Sequence, residues 1–133
     1  MLNREEVSIV VVDDVNTMRI QIKELLKLFG FRKVFVASNG EEVKQMLETI
    51  PIHLLMVDWH MSPTAGIELL KYVRSHPEHK NIAFVMVTAE SAKEQVIEAV
   101  QSGVDEYLLK PLTALQVQTK VYAALLKKQV FSG

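Results

Sequence analysis

Five side chains suited to ionic or phosphoryl chemistry each close a short apolar run. Asp13 and Asp14 follow Ile9-Val10-Val11-Val12, Asp58 follows Leu54-Leu55-Met56-Val57, Thr88 follows Ala83-Phe84-Val85-Met86-Val87, and Lys110 follows Tyr107-Leu108-Leu109 and precedes Pro111. If the runs are parallel strands buried on both faces, their ends meet on one edge of one sheet and the five residues share a pocket. Three carboxylates in such a cleft raise one another's pKa unless a cation intervenes. An oxygen donor set without His or Cys ligands favours magnesium or manganese, and magnesium commonly shares its shell with a phosphoryl group. Lys110 adds a positive charge and Thr88 a hydroxyl donor, so phosphoryl oxygens would find a metal, an ammonium and a hydroxyl around them. Asp58 is the candidate nucleophile, because it lies on the middle strand while the Asp13-Asp14 pair can hold the metal.

Each residue alone has a plainer explanation. An Asp at a strand end is commonly a turn or cap residue, Thr88 a helix N-cap, Lys110 a solvated charge. Together they outweigh it. Lys110-Pro111 is also a candidate cis peptide bond.

The elements that must position these residues alternate. After the first run, Met18, Ile22, Leu25, Leu26 and Phe29 form a helical stripe that Gly30 stops. Val34 to Ala37 makes a strand, and Asn39-Gly40 leads into a helix with Val43, Met46, Leu47 and Ile50 that ends at Pro51. The strand ending at Val57 leads through Pro63 and Gly66 to a helix with Ile67, Leu69, Leu70 and Val73, closed around His76-Pro77. The strand ending at Val87 precedes a helix with Val96, Ile97 and Val100 that Gly103 closes. After the last strand, Thr113 is a candidate N-cap for a helix with Val117, Val121, Ala124 and Leu125. Five strand-helix units imply an α/β fold, a doubly wound parallel sheet with five helices and right-handed crossovers.

At 133 residues the chain fits one domain with its own core. The absence of cysteine excludes disulfides, thiolate metal sites and cysteine nucleophiles, and suits the cytoplasm. The N-terminus reaches acidic residues before any apolar stretch, and no run approaches a membrane span, so a soluble protein without a signal peptide is expected. A net charge of −1 offers no basic footprint for nucleic acid.

Ile-Val-Val-Val-Asp-Asp at 9–14, Thr17-Met18-Arg19, Val-Asp-Trp-His-Met at 57–61, Val-Thr-Ala-Glu at 87–90 and Tyr-Leu-Leu-Lys-Pro at 107–111 resemble the receiver domains of two-component response regulators. The resemblance covers nearly the whole chain, 1–133, and is greatest to the single-domain, CheY-like chemotaxis type. It implies a flavodoxin-like strand order of 2-1-3-4-5. It also implies that Asp58 accepts a phosphoryl group from a histidine kinase, and that Asp13, Asp14, Asp58 and the backbone carbonyl of His60 bind Mg2+. Thr88 and Lys110 would hold the phosphoryl oxygens, and Tyr107 would be a switch aromatic that repacks when Thr88 moves inward. The implied output is a contact with a downstream protein such as a flagellar motor switch, through the fourth helix, fifth strand and fifth helix around Lys93, Leu109 and Lys120. A monomer is expected. Taken alone, Tyr107 reads as ordinary strand packing.

The loop after Asp58 departs from the family pattern. Pro63 stands one position later than the usual proline, and Ala65 replaces the frequent acidic residue before Gly66. His60 lies near the cleft mouth, where with Glu90 it is a candidate for setting water access to an acyl phosphate. Two other functions compete. A magnesium-dependent aspartyl-phosphate phosphatase shares the chemistry, but such hydrolases space their first-strand aspartates by one residue, whereas Asp13 and Asp14 are adjacent. A flavin or nucleotide module lacks a glycine-rich loop after the first strand, where Val15-Asn16-Thr17-Met18 stands. A receiver from another phosphorelay or a longer regulator shares the same site residues.

Overall fold

The computed structural model describes residues 1–61, 64–89 and 92–130. The expected alternation is present: β1 (Ser8–Val12), α1 (Asn16–Leu28), β2 (Lys33–Ala37), α2 (Gly40–Thr49), β3 (Leu54–Asp58), α3 (Gly66–Ser75), β4 (Ala83–Thr88), α4 (Lys93–Gln101), β5 (Glu106–Leu109) and α5 (Ala114–Lys127). All pairings are parallel and the order is β2-β1-β3-β4-β5, as the resemblance implied. The three central strands are buried along their whole length, which is why they read as continuous apolar runs rather than as alternating ones.

Period-two alternation divides the core into two layers. Ile9, Val11, Leu54, Met56, Val85 and Leu108 face α1 and α5, where they meet Ile22, Leu26, Val117 and Val121. Val10, Val12, Leu55, Val57, Phe84 and Met86 face the other three helices, where they meet Val43, Leu47, Leu70 and Val73. Apart from the fourth helix, the helix faces on both sides follow the apolar stripes of the sequence, and the termini follow its punctuation. Gly30 and Gly103 adopt φ of +100° and +97° just past α1 and α4, a conformation that L side chains rarely take. Asn39 caps α2 by accepting from the Glu42 N–H at 2.9 Å, and Thr113 caps α5 by accepting from the Gln116 N–H at 3.2 Å.

The fourth helix departs from expectation. Ala99 is its one fully buried residue, while Ile97 is 44% and Val100 63% exposed, and its N-cap residue Ala92 makes no side-chain cap. A stripe of Val96, Ile97 and Val100 read as core-facing therefore turns two of its three members to solvent. The helix is present, but its apolar residues outnumber what the sheet can cover near its edge.

The end of the sheet opposite the five chemical residues is tied by a part-buried ion pair. Arg74 donates to Asp105 Oδ2 at 2.8 Å and to the carbonyls of Gly103, Lys80 and Ile82 at 2.9, 2.9 and 2.6 Å, while Asp105 Oδ2 also accepts from the Phe84 N–H at 2.8 Å. Burial lowers the Arg74 pKa despite Asp105 beside it. One side chain thus joins α3, the start of β4 and the turn into β5. No helix is long and apolar enough to cross a membrane among the described residues.

Candidate functional site

The chain leaves β1 for β2 on one side, then crosses back to β3 on the other, so the connections after β1 and β3 diverge and leave a crevice at the strands' C-terminal edge. Asp13, Asp14 and Asp58 converge there, each offering a carboxylate oxygen with all of these atoms within 4.8 Å of one another. Asp13 and Asp58 are buried and Asp14 is exposed. Lys110 arrives from the end of β5 with its Nζ 3.2 Å from Asp58 Oδ1 and 3.5 Å from Asp13 Oδ2. The Lys110–Pro111 bond is cis.

The backbone sets this geometry. Asp58 pairs with Val87, so Thr88 stands one residue further out on the adjacent strand, fully buried, and its carbonyl accepts from the Lys110 N–H at 2.8 Å. Its plainer role as a helix cap does not apply, because α4 begins after Ala92. Tyr107 pairs with Met86 and packs half-buried in the layer of Phe84 and Met86, the face on which alternation also places Thr88. The two residues expected to form a switch are therefore diagonal neighbours on one sheet face. His60 is exposed two residues past Asp58, at the mouth of the crevice. The expectations resting on Ser62, Pro63 and Glu90 lie outside the described residues.

Electrostatics single out Asp58. Burial first and Asp13 second raise its pKa, and Lys110 opposes them without cancelling them. For Lys110, burial pulls the ammonium down, but Asp58 and Asp13 outweigh it and the net shift is upward. Among the described residues Lys110 pairs with two of the three clustered carboxylates, which leaves a deficit of positive charge. Asp13 Oδ1 accepts from the Val15 N–H at 2.8 Å, while its buried Oδ2 has no hydrogen-bond partner among the described residues. A buried carboxylate oxygen left in that condition, in an all-oxygen donor set, fits a hard divalent cation.

Two contributors were not singled out in the sequence. The α3 start is pressed onto the acceptor strand: the Gly66 N–H donates to the Trp59 carbonyl at 2.9 Å, and a Cβ at Gly66 would lie 2.4 Å from the Asp58 carbonyl oxygen. Arg19, noted only as part of a motif, reaches back from α1 to the Asp13 carbonyl at 2.6 Å. The spacing of Asn16 and Arg19 on one helical turn is the signal that could have pointed to it.

The model of the response regulator receiver domain matches residues 9–122. The chain belongs to the response regulator receiver family. Among curated receivers it is 39% identical over 121 residues to the chemotaxis protein CheY-3 of Vibrio cholerae, covering 91% of this chain and 92% of that one. It is 41% identical over 113 residues to the chemotaxis protein CheY of Pseudomonas aeruginosa, covering 85% and 91%. Among solved structures, the chemotaxis response regulator CheY4 of Vibrio cholerae superposes with a TM-score of 0.83 at 24% identity over 90% of this chain and 98% of that one, a likeness of fold. A receiver of the CheY type is a phospho-acceptor signalling domain rather than a classical enzyme, and its acidic cluster is compatible with Mg2+.

Proposed function

We propose that this receiver is switched by phosphorylation of Asp58, with Mg2+ as cofactor and a histidine kinase as donor, and that it acts in the cytoplasm on a protein target in chemotaxis. The observation that carries the reading is the Lys110 ammonium held on Asp58 and Asp13, two buried carboxylates beside the exposed Asp14, with Asp13 Oδ2 making no hydrogen bond and meeting only the Lys110 ammonium at 3.5 Å. Asp13, Asp14, Asp58 and the His60 carbonyl would hold the metal, which when bound supplies charge neutralisation for a transferring phosphoryl group. Asp58 attacks phosphorus; the new P–O bond forms as the donor's P–N bond breaks, and the electron pair returns to the donor imidazole. Lys110 then exchanges its contact with Asp58 for a phosphoryl oxygen.

The Thr88 hydroxyl takes another phosphoryl oxygen, and Tyr107, on the same face, repacks into the space that Thr88 leaves. The response reaches the surface along α4, β5 and α5, where Ile97, Val100, Leu109 and Leu115 are all exposed apolar residues. A flagellar motor switch is the target class we propose, and the support for it is that the similar curated proteins are chemotaxis proteins. Trp59 tests the reading. It is the only tryptophan, lies beside Asp58 and is buried. Its fluorescence should respond to Mg2+ and again to a small phosphodonor or beryllium fluoride, and Asp58→Ala should abolish the second response. An intact phosphodonor response in Asp58→Ala refutes the assignment.

A further inference from the structure

We propose that Arg19 is a positioning residue for the divalent cation, fixing the β1–α1 connection so that Asp13 and Asp14 present their carboxylates before the metal arrives. The proposal rests on the magnesium reading above. Almost every polar atom of Asp13 is already committed: its N–H donates to the Ala37 carbonyl at 3.1 Å, its Oδ1 accepts from the Val15 N–H at 2.8 Å, and its carbonyl accepts from Arg19 Nη1 at 2.6 Å. Oδ2 alone makes no hydrogen bond, facing the Lys110 ammonium at 3.5 Å, and is the atom left to take a metal. The other arm of the same guanidinium, Nη2, donates to Asn16 Oδ1 at 3.1 Å. Arg19 therefore spans the junction from the last residue before Asp14 to the first residue of α1.

Nothing else in the helix start does this. The N-cap position is Val15, which has no side-chain acceptor, and the first turn of α1 holds no acidic residue. A planar fork can hold two acceptors in fixed relation, which a lysine ammonium does not reproduce. With Asp13 immobile at three atoms, ordering of the ligand loop need not accompany cation binding, and affinity rises accordingly.

The sign of the effect separates positioning from charge. A guanidinium near a cation site repels the cation, so by charge alone its removal should tighten Mg2+ binding. Positioning requires the opposite. Mg2+ titration of the full chain by Trp59 fluorescence should show Arg19→Gln weakened about tenfold, as for other groups that orient metal ligands. Arg19→Lys, which keeps the charge, should also be weakened, and Asn16→Ala should be weakened less. Unfolding midpoints in EDTA should stay close to wild type, since the exposed part of the junction contributes little to the core. Binding as tight as or tighter than wild type in Arg19→Gln overturns the proposal, and if that variant does not fold, the same result in Arg19→Lys does so. A wild-type protein that shows no Mg2+ response while beryllium fluoride still acts at Asp58 overturns the magnesium reading itself, and the proposal with it.

Discussion

Asp58→Asn should make the metal-free protein more stable at neutral pH, and the size of the gain can be worked from the crevice. At an effective dielectric near 20, Asp13 within 4.8 Å repels ionised Asp58 by about 3.5 kcal/mol or more, while Lys110 at 3.2 Å attracts it by about 5 kcal/mol. Desolvation of a buried carboxylate adds several kcal/mol on the unfavourable side, and Asp14 a smaller, solvent-screened repulsion. The balance leaves ionised Asp58 unfavourable by about 1–3 kcal/mol. The competing view is that removing one partner of a buried ion pair costs about 3–5 kcal/mol. Here Lys110 keeps Asp13 at 3.5 Å, so no charge is left unpaired. For a chain of 133 residues the gain corresponds to a midpoint raised by about 4–10 °C.

The pH dependence follows from the same shift. Because the folded-state pKa of Asp58 is raised, stability is lost as pH rises from the ordinary carboxylate value through the folded one. The advantage of Asp58→Asn should therefore be greatest above the raised value and shrink as pH falls through it. Urea or thermal unfolding in EDTA across that range measures it. In saturating Mg2+ the order should narrow or reverse, since the wild type gains about 2.7 kcal/mol at a hundred times Kd and the variant gains less. An Asp58→Asn protein less stable than wild type in EDTA at neutral pH refutes the charge-deficit argument.

Gly66→Ala forces a Cβ to 2.4 Å from the Asp58 carbonyl oxygen and 3.1 Å from Met86 Sδ, so α3 must shift; a loss of about 1–3 kcal/mol is expected in chemical denaturation, with a changed Trp59 emission. Arg74→Ala strips the part-buried Asp105 of its nearest cation and leaves three carbonyls without their donor, and should cost about 2–4 kcal/mol, whereas Lys71→Ala, which breaks an exposed pair with Glu98 at 3.3 Å, should cost under about 1 kcal/mol by the same assay. Burial first, and Lys33 second, lower the pKa of His53, whose Nδ1 accepts from the Ser8 N–H at 2.9 Å. The unfolded chain then binds the proton more readily, so this contribution to stability is present above about pH 6.5 and is lost as pH falls through the lowered folded value; NMR titration of His53 together with unfolding at several pH values checks both halves.

The site was legible because buried parallel strands must be apolar throughout, so a polar residue at the end of such a run marks the sheet edge. Asp13, Asp58, Thr88 and Lys110 carry that signal. The strand order is not encoded in local pattern, since hydrophobic periodicity reports a buried strand without naming its neighbours; it came from resemblance to a family. Arg19 acts through a backbone carbonyl, and a carbonyl has no signature in the sequence. Ile97 and Val100 misled for a related reason: helical spacing shows that residues share a face, not that the face is covered. Gly66 read as a loop residue before the third helix, whereas its necessity comes from the approach of Asp58's own backbone.

The helix with a single buried residue and no side-chain cap is also the least expensive part of this molecule to deform. Moving α4 uncovers one fully buried residue and breaks no side-chain cap at Ala92, while α3 and the far end of the sheet are held by Arg74 and Asp105. A perturbation at Thr88 is consequently channelled toward the compliant element instead of spreading through the core. Amide exchange along α4 should be the fastest of the five helices, and a substitution that anchors it, such as Ala92→Asp at its N-cap, would make the protein sturdier and its signal weaker.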